Sequence, residues 1–236
     1  MDVASCYGSC AMPRSKPHKP SPREASNRYH HGNLTDALVS ATVAIIEERG
    51  VEHVSVREAA RRVGVSPGAP FRHFATKTAL MTAVAEQAMD RLKASVDAAL
   101  DATQAEAPLA RLEALGSAYL RWALQNPTHF EVISSRTLID ITSSDGIQRA
   151  NDEIRSIMVQ LFEQARTDGT LAPGLDVDQL VLLTRALGYG LARMASDGHF
   201  PEWHPSEPPS DALSKALKLF MSLLRSTRAR REQEVL

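Results

Sequence analysis

Two helix starts lie close together near the N-terminus, and their spacing restricts the possible folds more than any other feature of the sequence. Ser55 and Glu58 form an S-x-x-E pattern, typical of a capping box in which each side chain satisfies a free backbone N–H. Gly64 follows a short helix with one apolar face, and glycine readily takes the left-handed backbone that ends helices. Ser66 and Pro67 then provide a second N-cap and a proline at the first helical position. This pattern predicts a helix-turn-helix.

Signals for helices recur along the rest of the chain. Pro70 lies one turn into the second short helix, so that helix is expected to be brief and partly of the tighter 3-10 type. No alternating apolar and polar pattern of strand length occurs, and the segment from 200 to 209 is expected to be a proline-rich loop. Helix starts are predicted at Asn33, Thr76, Pro108, Asn126, near Gly146, Asp176 and Ser210, and helix ends at Gly50, Gly169 and Gly198. The sequence therefore predicts an all-α fold of about nine helices, with an N-terminal three-helix helix-turn-helix domain joined to a C-terminal helical bundle.

Proline content and charge differ along the chain and indicate its domains. Residues 1–28 contain four prolines without hydrophobic periodicity, which predicts a flexible basic arm before a helix-turn-helix domain over 29–77. We assign residues 78–236 to a ligand-binding and dimerisation domain because of the apolar helices and the aromatic candidates described below. Residues 1–77 carry 11 Lys and Arg against 7 Asp and Glu, although the whole chain has a net charge of -1. This asymmetry favours one end that faces nucleic acid, and random unevenness is the alternative.

Several classes of protein are not expected. No apolar run is long enough to cross a bilayer and no signal peptide is evident, which predicts a cytoplasmic location without membrane association. Cys6 and Cys10 lie near histidines in a spacing that matches no established zinc pattern, so we expect neither a metal nor a cofactor. The sequence lacks the H-E-x-x-H, P-loop and G-x-S-x-G motifs, and the partial match at Gly188 and Gly190 has Arg193 in place of the third glycine. We therefore expect no enzymatic activity.

The last two predicted helices are the most apolar. Nearly all residues from Leu180 to Met194 are apolar or small, and Leu213, Leu217 and Leu224 form a stripe on the final helix. Pairing of these helices with their symmetry mates predicts a homodimer through residues 176–197 and 210–230. The alternative is that the two helices close the core of a monomer.

The run from Tyr29 to Val84 closely resembles the DNA-binding domain of the tetracycline-repressor (TetR) family. The resemblance depends on the helix end at Gly50, the helix from Ser55 to Gly64 and the G-V-S turn that ends at Ser66. It also depends on the R-H-F sequence that ends at Phe74 and on Lys77. The C-terminal half resembles, more weakly, a regulatory-domain subtype with a Trp-His-Gly motif, in which Arg185 and Tyr189 here stand in the Trp and His places. The family implies a transcriptional regulator, expected to be a repressor that binds double-stranded operator DNA as a homodimer and is released by a small-molecule effector.

The resemblance also suggests particular DNA contacts. His73 and Lys77 match positions that contact phosphate, while Phe71 replaces a tyrosine whose hydroxyl does so and Phe74 matches a core position. The exposed face of the second helix offers few polar groups, so specificity is expected to depend on thymine methyl contacts and on DNA shape. The full predicted set is Arg28, His31, Ser55, Arg57, Ser66, Pro67, Gly68, Ala69, Phe71, Arg72, His73 and Lys77.

Aromatic and polar residues in the second half suggest an effector site. A pocket with apolar walls and a few polar anchors is the usual form of a small-molecule site. The candidates are Tyr119, Trp122, His129, Phe130, Arg136 and Tyr189, and the alternative for each aromatic is a place in the core. A second functional hypothesis keeps the fold but makes the protein an interaction partner that does not bind DNA.

Overall fold

The computed structural model describes residues 34–203 and 206–227, and within these ranges the chain is mainly helical. Its α-helices are α1 (Leu34–Arg49), α2 (Val56–Val63), α3 (Lys77–Ala102), α4 (Pro108–Gln125), α5 (Pro127–Ser134), α6 (Asp145–Thr167), α7 (Val177–Ser196), α8 (Phe200–Trp203) and α9 (Pro209–Leu224). Two 3-10 turns, Val51–His53 and Pro70–Arg72, flank α2. Since the described ranges contain nine α-helices and no strand, the predicted all-α fold is confirmed.

Side-chain caps start several of these helices, as the sequence predicts. Ser55, Thr76 and Asp176 each accept a hydrogen bond from the backbone N–H three residues along the chain, over 3.1, 3.0 and 2.9 Å. Such bonds satisfy one of the N–H groups that the first turn leaves free, which explains why the sequence locates these starts well. The predicted cap at Asn33 lies outside the described residues.

The N-terminal helices share a small core with the beginning of α3. α1 packs against both α2 and α3, and the buried side chains include Leu38, Ile45 and Ala59. Phe74 is also buried, in agreement with its predicted inward position. α2 ends at Gly64, whose backbone is left-handed with φ 77° and ψ 26°. The segment between α2 and α3 packs on this core.

Helix α3 connects the two parts of the chain. Its 26 residues span about 39 Å, and it contacts α1 as well as α4, α5 and α6. α4 lies at the centre of the C-terminal part, where it contacts α3, α5, α6, α7 and α9. The largest fully buried side chains of this bundle are Phe130 and Phe162. A movement in the bundle can therefore reach the N-terminal helices through α3.

The end of the chain departs from the prediction in one detail. The expected loop from 200 to 209 contains α8, because the side chain of Phe200 is buried and holds this segment against the bundle. After α9 the backbone pairs with the turn after α6, where Ala172 N donates to Leu224 O over 2.8 Å and Ser226 N donates to Thr170 O over 2.8 Å. None of the described helices is both long and apolar enough to cross a membrane.

Candidate nucleic-acid interface and ligand cavity

The segment between α2 and α3 forms an exposed turn rather than a regular helix. Pro70 has no backbone N–H and cannot make the α-helical bond to Ser66 O; Ala69 N donates to that oxygen instead, over 3.0 Å. A 3-10 turn then covers Pro70–Arg72, so the predicted short, tight second helix is confirmed, although it begins at Pro70 rather than at Pro67. The predicted N-cap at Ser66 is therefore wrong: the residue before the 3-10 turn is Ala69, and no side chain caps the turn. We call residues 64–74 the exposed turn.

One arginine in this turn and one on α2 are exposed and have no partner in the described part of the chain. The side chains of Arg57 and Arg72 make neither a hydrogen bond nor an ion pair there, and both are exposed. Arg61, by contrast, donates to the Glu58 carboxylate over 2.7 Å, and this hydrogen bond holds the pKa of Glu58 below its usual value. The Glu58 carboxylate thus pairs with arginines, including Arg49, instead of closing the capping box. Arg57 and Arg72 are left available for an anionic partner.

The predicted phosphate ligands, His73 and Lys77, are both anchored to the N-terminal helices. His73 Nδ1 lies 3.3 Å from Thr35 Oγ1 on α1, while the rest of the ring is exposed. Lys77 Nζ donates to Val51 O over 2.8 Å, and an ammonium group keeps two further N–H donors. These bonds fix the direction of both side chains before any ligand arrives.

The remaining predicted DNA contacts are distributed as follows. Pro67, Gly68 and Phe71 are exposed on the turn, and the Phe71 ring is 44% accessible although it has no polar atom to offer a phosphate. Ala69 is half-buried. Arg28 and His31 lie outside the described residues, so their contribution stays a prediction.

A cavity of about 500 Å³ lies in the C-terminal bundle, between α3, α4, α6 and α7. Two of the six predicted ligand contacts, Tyr119 and Arg136, line it. Trp122 and Phe130 are buried in the surrounding core, and the Phe130 ring centroid lies 6.4 Å from that of Tyr119 and 6.2 Å from that of Tyr189. The volume of the cavity falls within the range of about 300 to 1,000 Å³ that is usual for small-molecule sites.

His129, another predicted ligand contact, lies between helices. It is 5% accessible, and its Nε2 is 3.4 Å from both Arg91 Nη1 and Gln87 Oε1 on α3. Burial and the nearby guanidinium lower the pKa of His129 below its usual value. The ring is therefore neutral near pH 7 and joins α5 to α3.

Two polar residues that α7 contributes to the cavity, Thr184 and Arg185, are absent from the predicted ligand contacts. Arg185 Nη1 donates to Tyr119 Oη over 2.9 Å, and its guanidinium lies 5.2 Å from the Tyr119 ring centroid and 5.7 Å from that of Tyr189. Thr184 Oγ1 is buried at the cavity wall and has no hydrogen-bond partner among the described residues. A cation within the apolar run of α7 was the available signal. Its partner on α4 is 66 residues away, and no local pattern links them.

One segment joins the cavity wall to the N-terminal half of α3. Ile139 and Ile141 line the cavity, and between them Asp140 N donates to Thr82 Oγ1 over 3.0 Å. A few residues later Ser144 Oγ donates to Glu86 Oε1 over 2.6 Å. This segment thus bonds to the part of α3 that is nearest the exposed turn.

Four leucines are exposed on α7 and α9. Leu182, Leu183 and Leu219 are 60%, 54% and 61% accessible, and Leu223 is 58% accessible. The two helices contact each other.

Comparisons with known protein families cover most of the chain. Residues 38–84 match the family described as bacterial regulatory proteins, tetR family, and residues 112–227 match the tetracyclin repressor-like C-terminal domain. The HTH-type transcriptional repressor KstR2 of Mycolicibacterium smegmatis is 27% identical over 147 residues, which are 61% of this chain and 70% of the relative. The repressor KstR of the same organism is 26% identical over 193 residues, covering 80% of this chain and 86% of the relative.

Solved structures share the fold. A protein of unknown function from Rhodococcus sp. RHA1 superposes with a TM-score of 0.69 at 28% identity, over 83% of this chain and 97% of that one. The ketosteroid transcriptional regulator KstR2 of Mycobacterium tuberculosis superposes with a TM-score of 0.61 at 21% identity, over 81% and 95% of the two chains. The related repressors give no support to the hypothesis of an interaction partner that does not bind DNA.

Proposed function

We propose, from the premise that this chain belongs to the tetR family of bacterial regulatory proteins, that it is a repressor released from its operator by a small molecule in the bundle cavity. The chain is a DNA-binding transcriptional regulator, as its relatives are. The single observation that carries the DNA-binding site is the exposed turn, in which Arg72 is exposed and has no partner among the described residues. The exposed Arg57 on the preceding helix, α2, likewise has no described partner. No enzymatic activity forms part of the proposal, and a regulator of this kind acts in the cytoplasm, where the DNA is.

The DNA would be bound mainly through phosphates. The anchored side chains of His73 and Lys77 and the N-terminal N–H groups of α3 form a site suited to one phosphate. Arg57 and Arg72 would lie beside a major groove, with Pro67 and Gly68 close to the base edges. Because few polar groups reach the bases, shape and methyl contacts would supply much of the specificity.

A homodimer would bring two such turns to one operator. The exposed leucines of α7 and α9 support an isologous interface, in which the same apolar face serves both protomers. Successive major grooves lie about 34 to 36 Å apart, so the dimer would bind only when its two exposed turns have that separation.

The effector would act by changing that separation. A molecule in the cavity contacts Ile139 and Ile141, and the bonds from Asp140 to Thr82 and from Ser144 to Glu86 extend to α3. A ligand that prefers a different arrangement of α3 lowers the operator affinity by its differential affinity for the two arrangements.

Fluorescence anisotropy with the DNA upstream of the gene tests the DNA-binding part. Binding should prefer this DNA over a shuffled duplex, and its affinity should fall steeply with salt because phosphate contacts release counterions. An Arg72→Ala variant should weaken binding, while Arg121→Ala, which changes an exposed arginine on α4, should leave it unchanged. Equal binding to the shuffled duplex, or an effect of the two variants of the same size, would contradict the proposal.

A further inference from the structure

The walls of the bundle cavity are mostly apolar. α3 contributes Met89, Leu92 and Val96, and α6 contributes Ile154 and Met158. Filling such a space with a hydrophilic molecule would leave its polar groups without partners, at a cost in free energy. The body of a ligand for this cavity must therefore be apolar.

The charged groups at the cavity are unbalanced. Three arginines and two aspartates line it, and one pair is formed, between Arg155 and Asp178 at 2.8 Å. Arg136 and Arg185 make no ion pair with any described residue. An anion would meet two guanidinium groups that have no counter-charge, whereas a cation would meet only Asp152, and all three side chains are exposed.

Arg185 is held in one position by aromatic neighbours. Its bond to Tyr119 Oη and its place over the Tyr119 and Tyr189 rings restrict the guanidinium, so little conformational freedom remains to be lost on binding. Tyr119 stays protonated because burial raises the pKa of its hydroxyl. The hydroxyl oxygen accepts from Arg185, which leaves its own hydrogen free to donate.

Thr184 adds a third donor. Its side chain is 7% accessible, it lines the cavity, and its hydroxyl has no partner in the described residues. A buried hydroxyl of this kind lowers the stability of the empty protein and gains a partner when a ligand oxygen arrives. Three donor groups from adjacent or contacting residues thus line one cavity.

We infer that the cavity binds a mostly apolar molecule that carries a single oxyanion, a carboxylate or a phosphate, which accepts hydrogen bonds from Arg185, Tyr119 and Thr184. This inference rests on the proposed function, since it names the chemical class of the effector. The planar guanidinium matches both oxyanions by donating two parallel N–H bonds.

Matched ten-carbon probes test the inference by isothermal titration with the full chain. Decanoate and decyl phosphate supply the two oxyanions, 1-decanol is the neutral control and decyltrimethylammonium is the cation. At least one oxyanion should bind roughly tenfold or more tightly than 1-decanol, and the cation should bind most weakly. The stronger of the two oxyanions identifies the headgroup. Equal binding of decanoate, decyl phosphate and 1-decanol, or no binding of any probe up to about 1 mM, would overturn the inference.

Variants separate a direct contact from a structural effect. Arg185→Gln should weaken oxyanion binding roughly 10- to 100-fold and leave 1-decanol unchanged, and Tyr119→Phe should act in the same direction with a smaller effect. Arg121→Gln is the matched control on the exposed side of α4 and should change no affinity. If Arg185→Gln changed the dimer dissociation constant in sedimentation while the affinity for oxyanions stayed constant, the inference would fail. Arg185 would then serve the subunit interface.

Failure of this inference can be told from failure of the proposed function. A chain that binds its operator but does not prefer the oxyanion probes loses only the ligand class. A chain that prefers the oxyanion probes but binds no DNA keeps the ligand class and loses the assignment as a repressor. Both measurements use the same purified protein.

Discussion

Gly64 and Gly68 stand four residues apart on the exposed turn, but their backbones differ. Gly64 has φ +77°, in the left-handed region, whereas the φ of Gly68 lies outside it. Apart from its chain neighbours, a Cβ atom added at either glycine would meet no atom within 4 Å. Replacement by alanine therefore causes no collision at either position, and only Gly64→Ala places an alanine in a strained backbone.

The two variants should differ in stability by an amount that follows from this backbone difference. A left-handed alanine costs about 1 to 2 kcal/mol. For a chain of this size each kcal/mol lowers the melting temperature by about 2 to 4 °C, so Gly64→Ala should lower it by about 2 to 8 °C. Gly68→Ala should range from no change to a gain of about 0.4 to 1 kcal/mol, because alanine restricts the unfolded chain. Thermal unfolding followed by circular dichroism, at equal protein concentration, measures both.

For operator binding, the order of the two variants should be reversed: Gly68→Ala should have the larger effect. The methyl group of Gly68→Ala would occupy the space between the exposed turn and DNA, so this variant should bind the operator more weakly while remaining fully folded. Gly64→Ala should bind normally at temperatures well below its melting point. A Gly64→Ala protein as stable as the wild type, or a Gly68→Ala protein that loses as much stability as Gly64→Ala, would refute this account of the turn.

Three further experiments test the dimer interface, the pH dependence of stability and the reading of the operator. Leu183→Glu would bring two carboxylates into the proposed interface and should raise the dimer dissociation constant by about 100-fold or more in sedimentation, while Leu124→Glu on α4 should not. A dimer unaffected by Leu183→Glu would exclude α7 from the interface. Native His129 has a lowered pKa and binds fewer protons than the unfolded chain, so stability should decline as pH falls from 6.5 towards that lowered pKa. His129→Gln should lose this dependence, and an unchanged slope of melting temperature against pH would assign it to other groups. On a randomised operator, Arg72→Ala should lower the affinity without large losses at particular bases, and Pro67→Ala should relax the preference for thymine. Large losses at several base positions with Arg72→Ala alone would argue against recognition by methyl contacts and DNA shape.

The sequence predicts the helix starts well because the responsible contacts are local. Ser55, Thr76 and Asp176 each bond to a backbone N–H only three residues away, so the motif contains both partners. The short, tight form of the second helix follows likewise from Pro70, which lacks an N–H wherever the rest of the chain lies. Phe200, in contrast, starts a helix inside a predicted loop because it is buried against distant residues.

The candidate sites could be predicted only in part, since their partners are distant in sequence. His73 meets Thr35 across 38 residues, and Arg185 meets Tyr119 across 66 residues. Aromatic spacing alone could not separate Tyr119, which lines the cavity, from Phe130, which packs behind it. Which of these aromatic side chains lines the cavity depends on how the helices cross. No short pattern in a single sequence encodes that geometry.

Directed cleavage of operator DNA tests most directly whether the exposed turn meets DNA twice per dimer. Ala75 is exposed at the end of the turn, and an Ala75→Cys variant in which serine replaces Cys6 and Cys10 can carry an iron chelate that cuts nearby DNA. We predict cleavage at two positions related by two-fold symmetry, centred about 10 base pairs or one helical turn apart, or a multiple of that distance. Cleavage at a single position, or uniform cleavage along the duplex, would contradict the account.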